Sequence, residues 1–453
     1  MDPVITPYKF RSRRLKTRLK VIYHLVCNIE KGIGRYPELI KSIFITIFPY
    51  TYLIYRSNKI LLPIYMFIII VSFPSIIFIR IIRPLIHIRF GRILASNIGQ
   101  FAHIPEVYLS RKVSGKDKQK TFDLFFLEGL PCNKQIDKMV KRNLFIHPLI
   151  QPFYESNLYI PGWKKHIIKS PPYFSERDTD HSFIHCGPQL LFKNEEQNRA
   201  EKELLRYNMK PDMKYVCLYI RDIGYSNTSS SEAYSYDIND YNFVARELVN
   251  RGFRVLRMGK NVSIPFKTDD PNIVDYAYNY QDDFMDIWLP AHCEFMVSTG
   301  GGLDVIPINY RKPLVHVNCY DYLSFYSHAQ NSLVSFKKLI NNGKPLTMSQ
   351  IIFEVGWMRM VKSPQYKKQN KFEIKNQSKD EILSIIDEMI MRLNNEWIDK
   401  EDEKELRDKF WMIFNQWNNS SKMNIPFHQM HGKKMLSRIG YDYLKQNQDW
   451  LLS

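Results

Sequence analysis

The feature that most constrains the fold is an alternation of strand-like and helix-like segments between residues 215 and 317. Apolar runs of strand length occupy residues 215–220, 253–258, 294–297 and 313–317, and helical spacing of apolar residues occupies 241–251, 282–290 and 303–310. Strands that alternate with helices are typical of parallel βαβ units wound into one sheet. The sequence therefore predicts an α/β fold with a doubly wound parallel sheet.

Helix signals support this division and extend it to the C-terminus. Asp240 is placed to cap the helix at 241–251, and Gly252 follows where that helix should end. Ser378 and Glu381 form a capping box before an apolar periodic run at 382–393, and a second periodic run covers 401–417. We expect the chain to end in helices that pack on the core.

Residues directly after the predicted strands are the ones to examine for chemistry, because parallel sheets bind ligands at the carboxyl ends of their strands. The third strand is followed by Ser298, Thr299 and the run Gly300, Gly301 and Gly302. Glycines permit close backbone approach, and the N-terminus of the following helix favours an anion. This pattern predicts a phosphate-binding loop, with a merely flexible loop as the alternative.

Basic residues near the ends of the other strands can complete a diphosphate site. The candidates are Arg221 after the first strand, and Arg257 and Lys260 at the end of the second. Arg221 can instead pair with the neighbouring Asp222, and the other two can be solvated. No G-x-G-x-x-G or G-x-x-x-x-G-K-[ST] motif occurs, so we expect no nicotinamide cofactor and no P-loop.

Two further features are candidates for catalysis. His103 and Glu106 lie three residues apart, so they share a face if their segment is helical, and either is a candidate general base; a structural or solvated role is the alternative. Asp178 and Asp180 resemble a metal-binding D-x-D, but their stretch is polar and favours a solvated loop. We therefore expect no metal site.

The positive charge of the chain is concentrated at its N-terminus. The net charge is +18, and residues 1–92 contribute 16 Lys and Arg residues against three Asp and Glu. The remaining body is almost balanced, which argues against nucleic acid as a partner. Six cysteines lie far apart without a C-x-x-C pair, so they are expected to be thiols in a reducing cytoplasm.

The same N-terminal region contains two uncharged apolar stretches, residues 43–55 and 60–79. The second has 20 residues, about the number that crosses a bilayer. Because basic residues flank the pair on both sides, we expect a membrane hairpin or a shallow dip attached at the cytoplasmic face, with a single span or a buried helix as alternatives. Membrane lipid is thus a predicted partner of residues 1–92.

The order of motifs over residues 92–450 resembles a family of bacterial glycosyltransferases from surface-polysaccharide and lipopolysaccharide gene clusters. The residues that carry the resemblance are Gly99–Ala102, Glu106–Leu109, Tyr215–Asp222, Asp237–Tyr241, Arg257–Gly259, Asp275–Tyr276, Asp283, Asp286, Ser298–Gly302, Pro313 and Asn318. The chain departs from the family pattern at Gln100, where a histidine is usual.

This resemblance implies a GT-B architecture of two Rossmann-like domains. Together with the charge and hydropathy of the N-terminal region, it divides the chain into a basic arm (1–36), a membrane-associated hairpin or span (37–92), an acceptor domain (93–208), a nucleotide-sugar domain (209–365) and C-terminal helices (366–453). The implied activity is metal-independent sugar transfer from a nucleotide-sugar to a hydroxyl of a glycan or lipid-linked acceptor, at the cytoplasmic face of the inner membrane. The alternative is a non-catalytic membrane scaffold or glycan-binding protein that keeps the fold.

Overall fold

The structure is a computed structural model, and it describes residues 61–117, 120–168, 177–222, 236–320, 322, 325–355, 372–419 and 435–452. The predicted basic arm and the first uncharged stretch fall in residues 1–60, outside the described residues. Within the described part of the chain, no helix combines the length and the apolar character that crossing a membrane requires. Attachment to a membrane therefore stays a prediction.

The first part of the chain contains these elements, in order: α1 (Leu61–Ile81), β1 (His87–Leu94), α2 (Ile98–Val113), β2 (Thr121–Glu128), α3 (Lys134–Asn143), α4 (Ile150–Asn157), α5 (Asn194–Arg206), β3 (Tyr215–Tyr219), α6 (Asn242–Asn250), β4 (Arg254–Arg257), β5 (Ile273–Val274), α7 (Tyr276–Asn279) and α8 (Met285–His292). Short 3-10 turns lie at Trp163–His166, Ser182–Ile184 and Ile238–Tyr241.

The second part contains β6 (Phe295–Ser298), α9 (Val305–Asn309), β7 (Leu314–Cys319), β8 (Leu333–Phe336), β9 (Lys338–Asn341), β10 (Lys344–Pro345), β11 (Phe372–Lys375), α10 (Lys379–Leu393), α11 (Glu403–Asn419), β12 (Arg438–Ile439) and α12 (Tyr441–Gln446). A 3-10 turn at Gly302–Asp304 precedes α9, another at Gln448–Leu451 follows α12, and a π-helical turn covers Gln350–Val355.

The chain forms two compact units. Unit 1 comprises the described residues within 1–93, 119–128 and 144–172, and unit 2 comprises the other described residues. In unit 1, β1 pairs with β2, and a small core forms around Ile76, Phe90, Phe126 and Tyr154. The five-part division drawn from the sequence stays a prediction, as does a second Rossmann-like domain, since the described strands of residues 93–208 are β2 and the end of β1.

Unit 2 is built on a seven-stranded sheet whose order is β12-β8-β7-β6-β3-β4-β5, with every pair parallel. The predicted parallel sheet is therefore confirmed. From β3 the chain first adds β4 and β5 on one side, then returns to add β6, β7 and β8 on the other. The strand order reverses between β3 and β6, and the carboxyl end of such a switch point is where α/β sheets bind ligands.

The core on one part of this sheet combines strand residues with α6 and α10. Val244 and Leu248 from α6, and Ile385 and Met389 from α10, are fully buried against it. A second core joins β8 to α11 and α12 through aromatic side chains such as Phe410. The C-terminal helices are thus core-facing, as predicted, and the capping box of Ser378 and Glu381 is present.

Some local expectations need correction. Asp237, not Asp240, accepts the capping N–H, because the helix at 242–250 is preceded by a 3-10 turn whose first N–H groups need a partner. The helix expected at 303–310 is a 3-10 turn followed by five α-helical residues. The backbone thus presents a tight turn after the glycine run instead of the end of a long helix.

Candidate functional site

The glycine run forms a closed loop at the carboxyl end of β6, beside the switch point. The Ser298 hydroxyl donates to Asp304 Oδ1 over 2.6 Å and accepts from the N–H of Gly300 over 2.9 Å. The N–H of Gly301 donates to Asp304 Oδ2 over 3.0 Å. Two loop N–H groups are therefore satisfied internally, and a buried carboxylate fixes the shape of the loop.

Asp304 has no exposed surface, and burial raises its pKa to about 7, although the bonds from Ser298 and Gly301 act in the opposite direction. A group with this pKa changes protonation near neutral pH. Asp304 was not predicted as a site residue, although an acidic residue at the third position of a helical turn is a recognisable capping signal. It lies six residues after Ser298.

Close packing explains why glycine stands at two positions of the loop. Gly300 has a φ of +101°, and a Cβ there would lie 3.0 Å from His316 Nε2. Gly301 has an extended backbone, but a Cβ would lie 2.7 Å from Cε1 and 2.9 Å from Cζ of Tyr219. The first position needs glycine for its backbone conformation and the second needs it for space.

The loop also touches the N-terminal turn of α2. Asn97 caps that helix by accepting the N–H of Gly99 over 3.0 Å. A Cβ on Gly99 would lie 3.2 Å from the Cα of Gly302, and a Cβ on Gly302 would lie 3.2 Å from the nitrogen of Gly99. Two segments about 200 residues apart in sequence, each singled out for chemistry, thus meet backbone to backbone.

His103 lies one turn further along α2 and is almost fully buried. Its Nδ1 is 2.6 Å from Asn309 Oδ1, while the amide nitrogen of Asn309 donates to the Ala102 carbonyl over 3.2 Å. Asn309 therefore presents an acceptor, so Nδ1 carries the proton and Nε2 keeps its lone pair. Nε2 has no hydrogen-bond partner among the described residues, and burial lowers the pKa of His103 to about 4.

The Glu106 carboxylate is both hydrogen-bonded and ion-paired. Its carboxylate accepts the N–H groups of Gln189 and Leu190 over 3.0 Å and pairs with Arg311 over 3.0 Å. Burial raises its pKa, and the charge of Arg311 opposes that shift. The structure thus brings Glu106 near His103 on one helix, but its contacts tie chain segments together. Of the two candidate bases, His103 retains the unpaired acceptor.

The remaining basic candidates lie in different surroundings. The backbone N–H of Arg221 donates to Thr299 Oγ1 over 3.0 Å, which joins the end of β3 to the glycine loop. Arg257 is fully buried and pairs with Asp222 and Asp275, each over 3.2 Å. Its guanidinium also donates to the Ile264 carbonyl over 2.6 Å, and a contact with a diphosphate stays a prediction.

Lys260 is half-exposed and forms an ion pair of 2.8 Å with Asp283. This pair and the hydrogen bonds around it lower the pKa of Asp283. Asp286, nearby on α8, is buried and has its pKa raised to about 7 by desolvation. Lys260 thus belongs to a polar cluster beside the end of β4.

Two more groups at the carboxyl edge of the sheet were not predicted from the sequence. Lys337, directly after β8, is buried with Nζ 4.4 Å from the ring centroid of Tyr236. The Tyr326 hydroxyl donates to the Gly301 carbonyl over 3.4 Å. Because the strand at 333–336 was not predicted, Lys337 was not recognised as a basic residue at the end of a strand.

The aspartates of the D-x-D stretch have structural partners. Asp178 is buried and accepts the N–H groups of Ser182 and Phe183 over 2.8 and 2.7 Å. Asp180 pairs with Arg111 over 2.9 Å. These contacts fix a turn, so the expected solvated loop is wrong for the buried Asp178, whereas Asp180 is exposed.

Comparisons with known proteins give structural likenesses only. No protein-family model and no curated protein matches the chain. Similar solved structures include a glycosyl transferase family 9 protein from Veillonella parvula, with 10% identity, coverage of 68% of this chain and 98% of that one, and a TM-score of 0.44. E. coli ADP-heptose LPS heptosyltransferase II has 13% identity, coverage of 60% and 96%, and a TM-score of 0.34.

A third similar structure is the wall teichoic acid polymerase TagF, with 8% identity, coverage of 73% of this chain and 89% of that one, and a TM-score of 0.23. Scores of this size do not establish a common fold over the whole chain.

Proposed function

We propose that this protein is a glycosyltransferase that moves a sugar from a nucleotide-sugar to a hydroxyl of a glycan or lipid-linked acceptor in surface-polysaccharide synthesis. One observation carries the proposal: the glycine loop stands at the switch point of a parallel sheet and touches the turn at Gly99. Both segments belong to the motif order that resembles bacterial glycosyltransferases. Their contact supports one site in which the glycine loop serves the donor and the turn at Gly99 serves the acceptor.

For the donor, the diphosphate lies on the loop after β6. Since the N–H groups of Gly300 and Gly301 are used within the loop, those of Gly302 and Leu303 are the donors we assign to phosphate oxygens. Arg221 at the end of β3 supplies positive charge from the other side of the switch point. Fixed N–H groups and a cation stabilise the charge that develops on the leaving diphosphate.

For the acceptor, His103 is the proposed base, and Glu106 fixes the surrounding chain segments through Arg311 and the N–H groups of residues 189 and 190. The acceptor oxygen bonds to the anomeric carbon as the bond from that carbon to the diphosphate oxygen breaks, and the hydroxyl proton passes to His103 Nε2. A pKa of about 4 leaves this nitrogen unprotonated at neutral pH, and its basicity is comparable to that of a carboxylate. Asn309 holds the ring in the required tautomer.

The base assignment is testable by comparing two histidines. His103→Ala is expected to lower kcat by about 100-fold, within the range typical of a lost general base, while His185→Ala, which changes an exposed histidine, leaves it unchanged. Donor binding should survive in both variants. Equal kcat values for His103→Ala and the wild type would remove His103 from the mechanism.

The reaction is proposed to need no metal and no cofactor beyond the nucleotide-sugar substrate, since loop N–H groups and basic side chains take the place of a cation. Addition of a chelator should leave the transfer rate unchanged. A loss of activity that Mg²⁺ or Mn²⁺ restores would contradict this part of the proposal.

The proposed location is the cytoplasmic face of the inner membrane, with residues 1–92 binding lipid and residues 93–208 and 209–365 serving the acceptor and the donor. Support comes from the charge distribution: the basic excess lies around two uncharged stretches, and anionic lipid attracts basic segments. No nucleic acid is proposed as a partner, because the body of the protein is nearly neutral.

The decisive test is a thermal-shift screen against UDP, GDP, CMP and ADP, followed by transfer from the matching nucleotide-sugar. Arg221→Ala and Gly301→Val should abolish both signals, whereas Gly187→Ala, at a site with no atom within 4 Å of the added Cβ, should not. Binding without turnover would favour the scaffold alternative. Stabilisation by none of the nucleotides would refute the proposed function.

A further inference from the structure

The outward side of α1 is a continuous apolar surface in unit 1. On its inner side, Ser72 and Ile76 are fully buried, and the Ser72 hydroxyl hydrogen-bonds to that of Ser156 in α4. On the outer side lies a set of exposed apolar side chains, which we call the outer stripe: Phe67, Val71, Phe78, Ile81, Leu85 and Ile86. Phe78 is 61% exposed, Ile81 70% and Leu85 86%.

The outward side of α1 is unusual because no exposed polar side chain is described on it. Every exposed residue whose side chain is described in α1 is apolar. A helix on the surface of a water-soluble unit normally turns charged and polar residues outward. Helical spacing aligns Val71, Phe78 and Ile81 along one side, and Leu85 and Ile86 extend that surface past the end of the helix. An exposed apolar surface of this kind marks an interaction site.

The end of the stripe is bordered by positive charge. Arg80 donates to Asn157 Oδ1 over 2.7 Å and to the Ile160 carbonyl over 3.2 Å, which fixes the segment that leads from α4 into the 3-10 turn at Trp163–His166. That turn exposes Lys164 and Lys165, with Trp163 beside them. The aromatic ring and the two cations have the chemistry of a membrane interface, where amphipathic rings and lysines meet lipid headgroups.

Acidic residues do little to offset this charge. The described carboxylates of unit 1 are Asp123, Glu128 and Glu155. Asp123 pairs with Arg89 over 2.7 Å, Glu128 pairs with Arg92 over 3.0 Å, and Glu155 is buried. The surface around the end of α1 therefore carries excess positive charge, which complements an anionic lipid surface.

We propose that unit 1 docks on an anionic phospholipid bilayer through the outer stripe, with α1 lying along the membrane surface and Arg83, Lys164 and Lys165 among the headgroups. The helix lies on the bilayer because its inner side is occupied by α4 of the same unit. This deepens the membrane part of the proposed function by naming the surface. Of the hairpin, the shallow dip and the single span that the sequence left open, it selects the shallow dip. It does not depend on the chemistry of the glycine loop.

The test uses the full chain with p-benzoylphenylalanine in place of Phe78, mixed with vesicles of equal parts phosphatidylcholine and phosphatidylglycerol and irradiated. The expected product is a covalent adduct with lipid. The same photoreactive residue in place of Ile398, an exposed apolar residue of unit 2, should give little lipid adduct. Crosslinking of position 78 to residues 1–60 of the same chain, or to a second copy, would overturn the proposal.

A second measurement separates this surface from the basic arm. The variant Val71→Ser/Phe78→Ser/Ile81→Ser changes exposed positions only and should lower vesicle binding about tenfold or more, because immersion of apolar area drives interfacial binding. Leu205→Ser, which also replaces an exposed apolar residue by serine but lies in unit 2, should bind like the wild type. Unchanged vesicle binding by the triple variant would refute the docking surface. Nucleotide binding by the triple variant reports separately on the proposed activity.

Discussion

The replacement Gly301→Ala tests how tightly the loop is built. The added Cβ would lie 2.7 Å from Cε1 and 2.9 Å from Cζ of Tyr219, closer than carbon atoms approach in proteins. The backbone of Gly301 is extended, so alanine brings no conformational penalty of its own. The ring or the loop must therefore move, and a movement of the loop disturbs the hydrogen bond between the Gly301 N–H and Asp304.

Forcing an extra methyl group into a packed site typically costs about 1–3 kcal/mol. If the cost falls on the binding-competent loop, the affinity for the nucleoside diphosphate drops by about 5- to 150-fold, since about 1.4 kcal/mol corresponds to a factor of ten. Calorimetric titration of wild type, Gly301→Ala and the control Gly187→Ala measures this directly.

The double variant Gly301→Ala/Tyr219→Ala sharpens the test, because removing the ring makes room for the methyl group. We expect the alanine at position 301 to cost less affinity in the Tyr219→Ala background than in the wild type, which is the non-additivity of residues in contact. Wild-type affinity in Gly301→Ala would refute the reasoning, as would an equal loss in Gly187→Ala.

Three further predictions concern buried charges. Burial raises the pKa of Asp304 to about 7, so its stabilising contribution is complete below the unfolded pKa of about 4 and is lost as pH rises to about 7. The Tm of wild type minus that of Asp304→Asn should therefore fall between about pH 4 and pH 7 and stay constant at higher pH. Arg311→Ala leaves Glu106 buried without its cation and should lower stability by about 3 kcal/mol in urea unfolding. Arg257→Ala leaves two buried carboxylates unpaired and should lower stability by about 3–5 kcal/mol; unchanged unfolding with a selective loss of nucleotide binding would instead support a diphosphate contact.

The sequence predicts the parallel sheet well because its signals are local. The strands β3, β4, β6 and β7 each lie in a short apolar run, and each is followed by a turn residue or a helical repeat that can be recognised without knowledge of the fold. The glycine run was found for the same reason. Short elements were harder: β5 has two residues, and β8 lies beyond the last predicted strand.

The partners of the site residues could not be predicted, because they come from distant parts of the chain. Glu106 pairs with Arg311 and His103 bonds to Asn309, each about 200 residues away. Arg257 was considered for phosphate because it ends a strand, but the fold places two carboxylates beside it. Sequence spacing identifies which residues can do chemistry, and packing decides which of them remain available.

The most direct test of the central claim is amide hydrogen exchange at residues 299–304, measured with and without the nucleoside diphosphate selected by the thermal-shift screen. We expect slower exchange of the Gly302 and Leu303 N–H groups when nucleotide is bound, together with protection of the turn around Gly99. Nucleotide binding that leaves these N–H groups unchanged and protects another part of the chain would contradict the assignment of the loop as the diphosphate site.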